Sequence, residues 1–324
     1  MMKASLQLIP LLEPIRSEIE QVECLLNETL AKVEEPLSSM LRRSLGGKQV
    51  RPALVVLVGR MFASPPAPFH NLAAAVDMLH AATLIHDDLV DEAPLRRGRE
   101  TLHTIWPTGA TVLAGDYLLG RATSLIAELE RPRILKVFAE ILCTMCAGEI
   151  KRMLVTKGKH SRREDYYHSV EAKTASLFAA STEMAGILAE AEELQIAALR
   201  RFGRELGIAF QIVDDVLDFI GDEAQLGKPA GSDLRQGLIT LPILCYLERA
   251  EDDAPVNAVL SGQRDEERVR AAIEAVCSSG AIEAALAEAR AHARRSQEAL
   301  ATLPDNASRQ MLCSLAEYVV ERRH

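Results

Sequence analysis

The chain has 324 residues, a formal net charge of −9, 48% hydrophobic and 26% charged residues, and 4% aromatics. The negative balance disfavours a nucleic-acid partner, and the scarcity of aromatic rings disfavours a base-stacking platform. The longest apolar runs, such as Pro52 to Val58, are too short to span a bilayer.

Apolar residues recur every three to four positions from Ser5 to about Arg43, which predicts an amphipathic helix and a short successor after Pro36. Glu13, Glu18 and Glu20 interrupt this start, so no secretory signal is expected. Gly46-Gly47-Lys48-Gln49-Val50-Arg51-Pro52 reads as a loop opening the next helix. Ser64 to Pro68, with three prolines, reads as a turn that excludes helix. A helix is predicted from about Asn71 to near Pro94, then a loop from Arg96 to Pro107. Further helices are expected over Ala110 to Glu130, from Pro132 to about Lys157, and after Ser161, where Ser161-Arg-Arg-Glu164 has capping-box spacing. Small residues crowd Glu171 to Glu190 and permit close helix contact. A helix over Leu194 to Ile220 precedes a loop from Gly221 to Gly237, and Pro255, Gly280 and Pro304 punctuate the remaining helices. Nothing alternates at period two, which predicts an all-α, single-domain bundle of ten or more helices over residues 1–324. The six cysteines fall in apolar helical contexts, as expected of reduced buried thiols in a cytoplasmic protein, and Cys143-x-x-Cys146 lacks the second pair that a zinc site would need.

Two acidic sets stand out. Asp87-Asp88-Leu-Val-Asp91 ends one apolar helical segment, and Asp214-Asp215-Val-Leu-Asp218 ends another. Residues four apart share a helix face, so Asp87 points with Asp91 and Asp214 with Asp218. Clustered carboxylates repel one another unless solvent or cations neutralise them. Hard ions such as Mg2+ bind carboxylate oxygen and complete their shells with water and phosphate. Lys48, Arg51, Arg96, Arg97, Lys173 and Lys228 accompany these acids in the sequence. Metal-binding carboxylates, fixed cations and apolar helices together point to a ligand with a polyanionic head and an apolar tail, such as a diphosphate on a hydrocarbon.

The chain resembles the trans-isoprenyl diphosphate synthases, the polyprenyl synthetase family. The residues that carry the likeness are Gly46-Gly47-Lys48-x-x-Arg51-Pro52, His80, Asp87-Asp88-x-x-Asp91 with Arg96-Arg97-Gly98, Lys173-Thr174, Gln211-x-x-Asp214-Asp215-x-x-Asp218, and Gly227-Lys228-Pro-x-Gly231-x-Asp233. The resemblance implies an all-α fold around a central cavity and a Mg2+-dependent prenyltransferase that joins isopentenyl diphosphate to an allylic diphosphate. By the same likeness, Asp87, Asp91 and Asp214 hold Mg2+ against the allylic diphosphate, with Asp88, Asp215 and Asp218 in support. Arg96, Lys173 and Lys228 bind that diphosphate. Lys48, Arg51, His80 and Arg97 hold isopentenyl diphosphate, and Thr174 and Gln211 lie near the reacting groups. The likeness also implies a homodimer.

Two departures accompany the match. Gln49 stands where the first loop often has arginine, and little loss is expected there. Leu238 stands where the later loop usually has lysine, which puts allylic binding, substrate choice and independence from a partner subunit in question. A non-catalytic or partner-dependent subunit of a heteromeric prenyl synthase is therefore the alternative. A terpene cyclase is disfavoured by the intact second aspartate set, and a phosphohydrolase built on His86-Asp87 by the lack of suitably placed histidines. Ala82 and Thr83, five and four positions before Asp87, are the expected chain-length positions. A small Ala82 predicts a product longer than farnesyl diphosphate.

Overall fold

The computed structural model describes residues 8–45, 49–96, 98–155, 162–221, 229–250 and 252–322. Lys48, Arg97, Lys228 and Ser161, all named above, lie outside them.

After a helical start at Leu8–Leu12, the elements are α1 (Arg16–Ala31), α2 (Leu37–Ser44), α3 (Val50–Met61), α4 (Pro66–Val90), α5 (Thr108–Glu128), α6 (Pro132–Val155), α7 (Arg163–Val170), α8 (Ser176–Leu188), α9 (Glu193–Ile220), α10 (Ser232–Gln236), α11 (Leu241–Leu247), α12 (Ala254–Leu260), α13 (Glu266–Ser278), α14 (Ala281–Ala299) and α15 (Ala307–Glu321). A single π-helical turn, Glu171–Ala175, joins α7 to α8. The all-α expectation holds. Two details differ from it. The segment Arg96 to Pro107 contains an antiparallel pair, Leu95–Arg96 with Arg99–Glu100, and a short helix at Leu102–Ile105. Two residues per strand are too few for alternation to register in the sequence. The proline cluster also starts helix α4 instead of excluding it, because Pro66 and Pro68 occupy the first turn, where missing N–H groups cost nothing.

α4 packs along α5, and α9 packs along both α8 and α14. One apolar core is built from α1 to α6, α8 and α15. The other joins α7 to α11 through α14, and α9 serves both, with Leu206 and Ala209 in the first and Ile208 and Ile212 in the second. The two longest described helices, α4 and α9, end in the acidic sets. No helix among the described residues is long and apolar enough to cross a membrane.

The thiols correct the sequence expectation in part: Cys245 is buried, but Cys24, Cys143 and Cys146 are exposed. All six are free.

Candidate active site

Both acidic sets lie where a helix ends, and the negative end of a helix dipole is an unfavourable place for carboxylates. In α4 the Asp91 N–H closes the helix on the Asp87 carbonyl at 2.8 Å, and Glu92 turns the chain with φ of 49°. The electrostatic cost has to be met by cations, and the structure shows which ones.

Asp87 lies 3.0 Å from Lys173 Nζ, and Asp91 accepts from Arg152 Nη2 at 2.7 Å. Between the two cations stands Glu149, 3.4 Å from Lys173 and bonded to Arg152 through Nε at 2.7 Å. Asp88 points to the flank and pairs with Arg96 at 2.6 Å. Burial pushes the Asp87 carboxyl above the usual aspartate range even with Lys173 beside it. Burial also raises Asp88 against the pull of Arg96. Glu149 is pushed up by burial too, but Arg152 and Lys173 outweigh this and hold it below the ordinary glutamate range.

Lys173 and Thr174 reach the site from the π-turn, a local widening often found where function needs one side chain displaced. α6 comes close enough for this contact because Gly148 faces Ala172; a Cβ at Gly148 would lie 2.4 Å from that of Ala172. The Thr174 hydroxyl donates to Gln211 Oε1 at 2.6 Å, and Gln211 Nε2 donates to Asp215 Oδ1 at 2.8 Å. A continuous path thus runs from Asp87 through Lys173, Thr174 and Gln211 to the second acidic set.

Within that set the three aspartates differ. Asp214 is half exposed and pairs with Arg322 at 2.8 Å. Asp215 is 3% exposed, with one oxygen taken by Gln211 and the other by the Tyr166 hydroxyl at 2.6 Å. Burial drives its carboxyl well above the usual range. Both Asp215 oxygens therefore accept hydrogen bonds within the protein, and through Tyr166 the residue ties α9 to α7. Asp218 is also buried and accepts from the Asp233 N–H at 3.0 Å, while its carbonyl accepts from Gly231 N–H at 2.8 Å. Gly231 has φ of 67°, and a Cβ there would meet Ile273 at 2.6 Å, so this turn requires glycine. Leu238, half-buried, donates its N–H to the carbonyl of Asp233, the residue whose own N–H is held by Asp218, at 2.9 Å.

The other expected residues fall nearby. The Arg51 guanidinium lies 4.5 Å from the centre of the Phe178 ring and 5.9 Å from that of Phe210. Arg322 covers Phe210 from 3.9 Å and donates to its carbonyl at 2.7 Å. His80 is half-buried, with its carbonyl accepting from the Thr83 hydroxyl at 2.8 Å. Ala82 is buried. Gln49 turns away to Glu23 at 2.5 Å, which accounts for the tolerance expected there. The His86 Nε2 lies 3.2 Å from the Val112 carbonyl and 3.5 Å from Asp116, both on α5. A cavity of about 370 Å3, lined by Arg43, Leu84, Asp88, Arg96, Arg99 and Thr101 among others, opens on the flank of the first set. Four residues of the site carried no signal in the sequence: Glu149, Arg152, Tyr166 and Arg322. They come from distant helices at no recognisable spacing.

The Polyprenyl synthetase family model matches residues 32–276. The chain belongs to the polyprenyl synthetase family. It is 36% identical to heptaprenyl diphosphate synthase component 2 of Geobacillus stearothermophilus, over 92% of this chain and 97% of that one. It is 35% identical to the short chain isoprenyl diphosphate synthase of Methanothermobacter thermautotrophicus, over 96% and 95% of the two chains. Among solved structures, the polyprenyl synthase of Caulobacter crescentus, complexed with calcium and isoprenyl diphosphate, superimposes with a TM-score of 0.93 at 33% identity, covering all of both chains. This polyprenyl synthetase is an enzyme, a prenyltransferase with the all-α isoprenoid synthase fold, of a family that uses divalent metal.

Among the described residues no three acidic, histidine or cysteine side chains converge as a ready-made metal cage. The carboxylate oxygens of Asp87, Asp91 and Asp214 are hard donors of the kind a divalent cation takes, and each is paired here with a cation of the protein.

Proposed function

We propose that this polyprenyl synthetase condenses isopentenyl diphosphate with an allylic diphosphate, head to tail and in trans, to a polyprenyl diphosphate of geranylgeranyl length or longer. The observation that carries the reading is the path from Asp87 through Lys173, Thr174 and Gln211 to the second acidic set. Asp87, Asp91 and Asp214 are the residues that would hold Mg2+, with Asp88 and Asp218 supporting the two helix ends. Lys173 and Arg96 take the allylic diphosphate, with Lys228 assigned by the family likeness alone. Arg51 and His80, with Lys48 and Arg97 again by likeness, take isopentenyl diphosphate.

When bound, Mg2+ neutralises the diphosphate and stabilises the charge it gains as a leaving group. Lys173 adds a fixed charge on the same side. Thr174 and Gln211, locked to each other, line the place where the allylic C–O bond opens, and the apolar helices exclude water from the cation that results. The double bond of isopentenyl diphosphate attacks that cation, and the departing diphosphate accepts the proton then lost. No side chain is assigned as base.

The small buried Ala82 supports a long product, as does the heptaprenyl relative; the short chain relative of similar identity marks chain length as the property to measure. We read residues 1–324 as one domain, acting in the cytoplasm as a homodimer. The relative named as component 2, together with Leu238, favours one second reading, a chain that needs a partner subunit. Incubating the purified chain with Mg2+, isopentenyl diphosphate and farnesyl diphosphate tests both. Elongation supports the synthase, and silence until a partner is added supports the subunit.

A further inference from the structure

Glu149 and Arg152 belong to none of the motifs that identify the family likeness, yet both lie in the first acidic set. Their arrangement is an alternation of charge across three elements: Asp87, Lys173, Glu149, Arg152, Asp91. Asp87 and Asp91 are one helical turn apart, so their Cβ atoms stand roughly 6 Å from each other. Glu149 fixes a cation opposite each one. The Arg152 side chain is 19% exposed and that of Glu149 16%, so the pair is built into the wall and is not a solvated surface contact.

With a metal at Asp91, Glu149 would still hold Arg152 beside Lys173 at the acidic set. Lys173 stands in the same relation to Asp87 and Glu149. A diphosphate bound at this set would meet Lys173 and Arg152 on the same wall, and a planar guanidinium suits phosphate oxygens in pairs.

We propose that Arg152 is a diphosphate-binding residue of the allylic site, held in register with Lys173 by Glu149. The proposal rests on the diphosphate reading above and adds to it a ligand from α6. Glu149 touches no substrate and is a positioning residue for the two cations.

The test is calorimetric titration of inorganic diphosphate, at saturating Mg2+, into the wild-type chain and the variants Arg152→Gln and Arg152→Lys, with Mg2+ alone titrated in parallel. Loss of one charge-assisted contact predicts about tenfold weaker diphosphate binding in Arg152→Gln, partly restored in Arg152→Lys. The KM for the allylic substrate should rise in parallel, and that for isopentenyl diphosphate should stay near its wild-type value. Unchanged diphosphate affinity in Arg152→Gln, with Mg2+ bound more tightly, would make Arg152 a counter-ion of Asp91 only and overturn the proposal. If Arg152→Gln fails to fold, Arg152→Lys is read in its place: weaker diphosphate binding with Mg2+ binding unchanged keeps the proposal, and wild-type diphosphate affinity ends it. A wild-type chain that binds no diphosphate would remove the broader reading itself.

Discussion

The Thr174 hydroxyl meets the Gln211 side-chain oxygen at 2.6 Å, and through this contact the π-turn that presents Lys173 to Asp87 is fastened to the helix that carries Asp214. Thr174→Val keeps the shape and removes the donor, leaving a half-buried amide oxygen without its partner. The expected cost to stability is about 1 to 2 kcal/mol. The expected effect on kcat is larger in proportion, because the two acidic sets lose their common register. Thermal melting and steady-state kinetics on one preparation check both.

Ala82 lies buried five positions before Asp87 on the helix that ends in the first acidic set. A helical turn advances about 5.4 Å, comparable to one isoprene unit. Ala82→Phe should therefore shorten the product ladder by at least one unit while elongation continues. Chromatography of the extracted, dephosphorylated products reads this directly, and an unchanged ladder would place the floor elsewhere.

Leu238 sits in the loop that Asp218 anchors through Asp233. Restoring a cation there with Leu238→Lys should lower the KM for the allylic diphosphate several-fold with little change in the KM for isopentenyl diphosphate. A chain that is active only with a partner should gain independent activity from the same change. Kinetics with each substrate varied in turn distinguishes these outcomes.

Away from the site, Glu205 on α9 accepts from His292 at 2.8 Å and from Arg295 at 2.9 Å, both on α14, and also pairs with Arg204. Burial pushes its carboxyl up, but the His292 and Arg295 hydrogen bonds prevail and bring it down to about 2. A carboxylate depressed in the folded state adds stability that is complete above its unfolded pKa of about 4.3 and is lost as pH falls toward the folded value. Wild-type stability should therefore drop between about pH 4.5 and pH 2, by about 2 kcal/mol from this group. Glu205→Gln should be less stable at neutral pH and should lose less over that acid range. Denaturant melts at several pH values check the sign.

Much of the fold and one face of the site were legible in the chain. The apolar period marks the long helices, and each acidic set is local, so the shared face of Asp87 and Asp91 follows from spacing. What was not legible depends on contact between distant segments. Arg152 meets Asp91 across 61 residues, and Tyr166 meets Asp215 across 49. Neither pairing leaves a local pattern. The burial of Asp215 has the same origin: adjacent helical positions point about 100° apart, and only the packing of α7 decides which of Asp214 and Asp215 faces inward. The proline cluster misled because the same residues that break a helix interior suit a helix start.

The central claim is that the two acidic sets act on one diphosphate. Its most direct measurement is the Mg2+-dependent binding of inorganic diphosphate to the wild-type chain, Asp87→Asn and Asp214→Asn, by calorimetry with stoichiometry determined. One diphosphate per chain, weakened at least about tenfold by each substitution, is the predicted result. Wild-type affinity in either variant would mean that the two sets serve separate ligands, and would contradict the account.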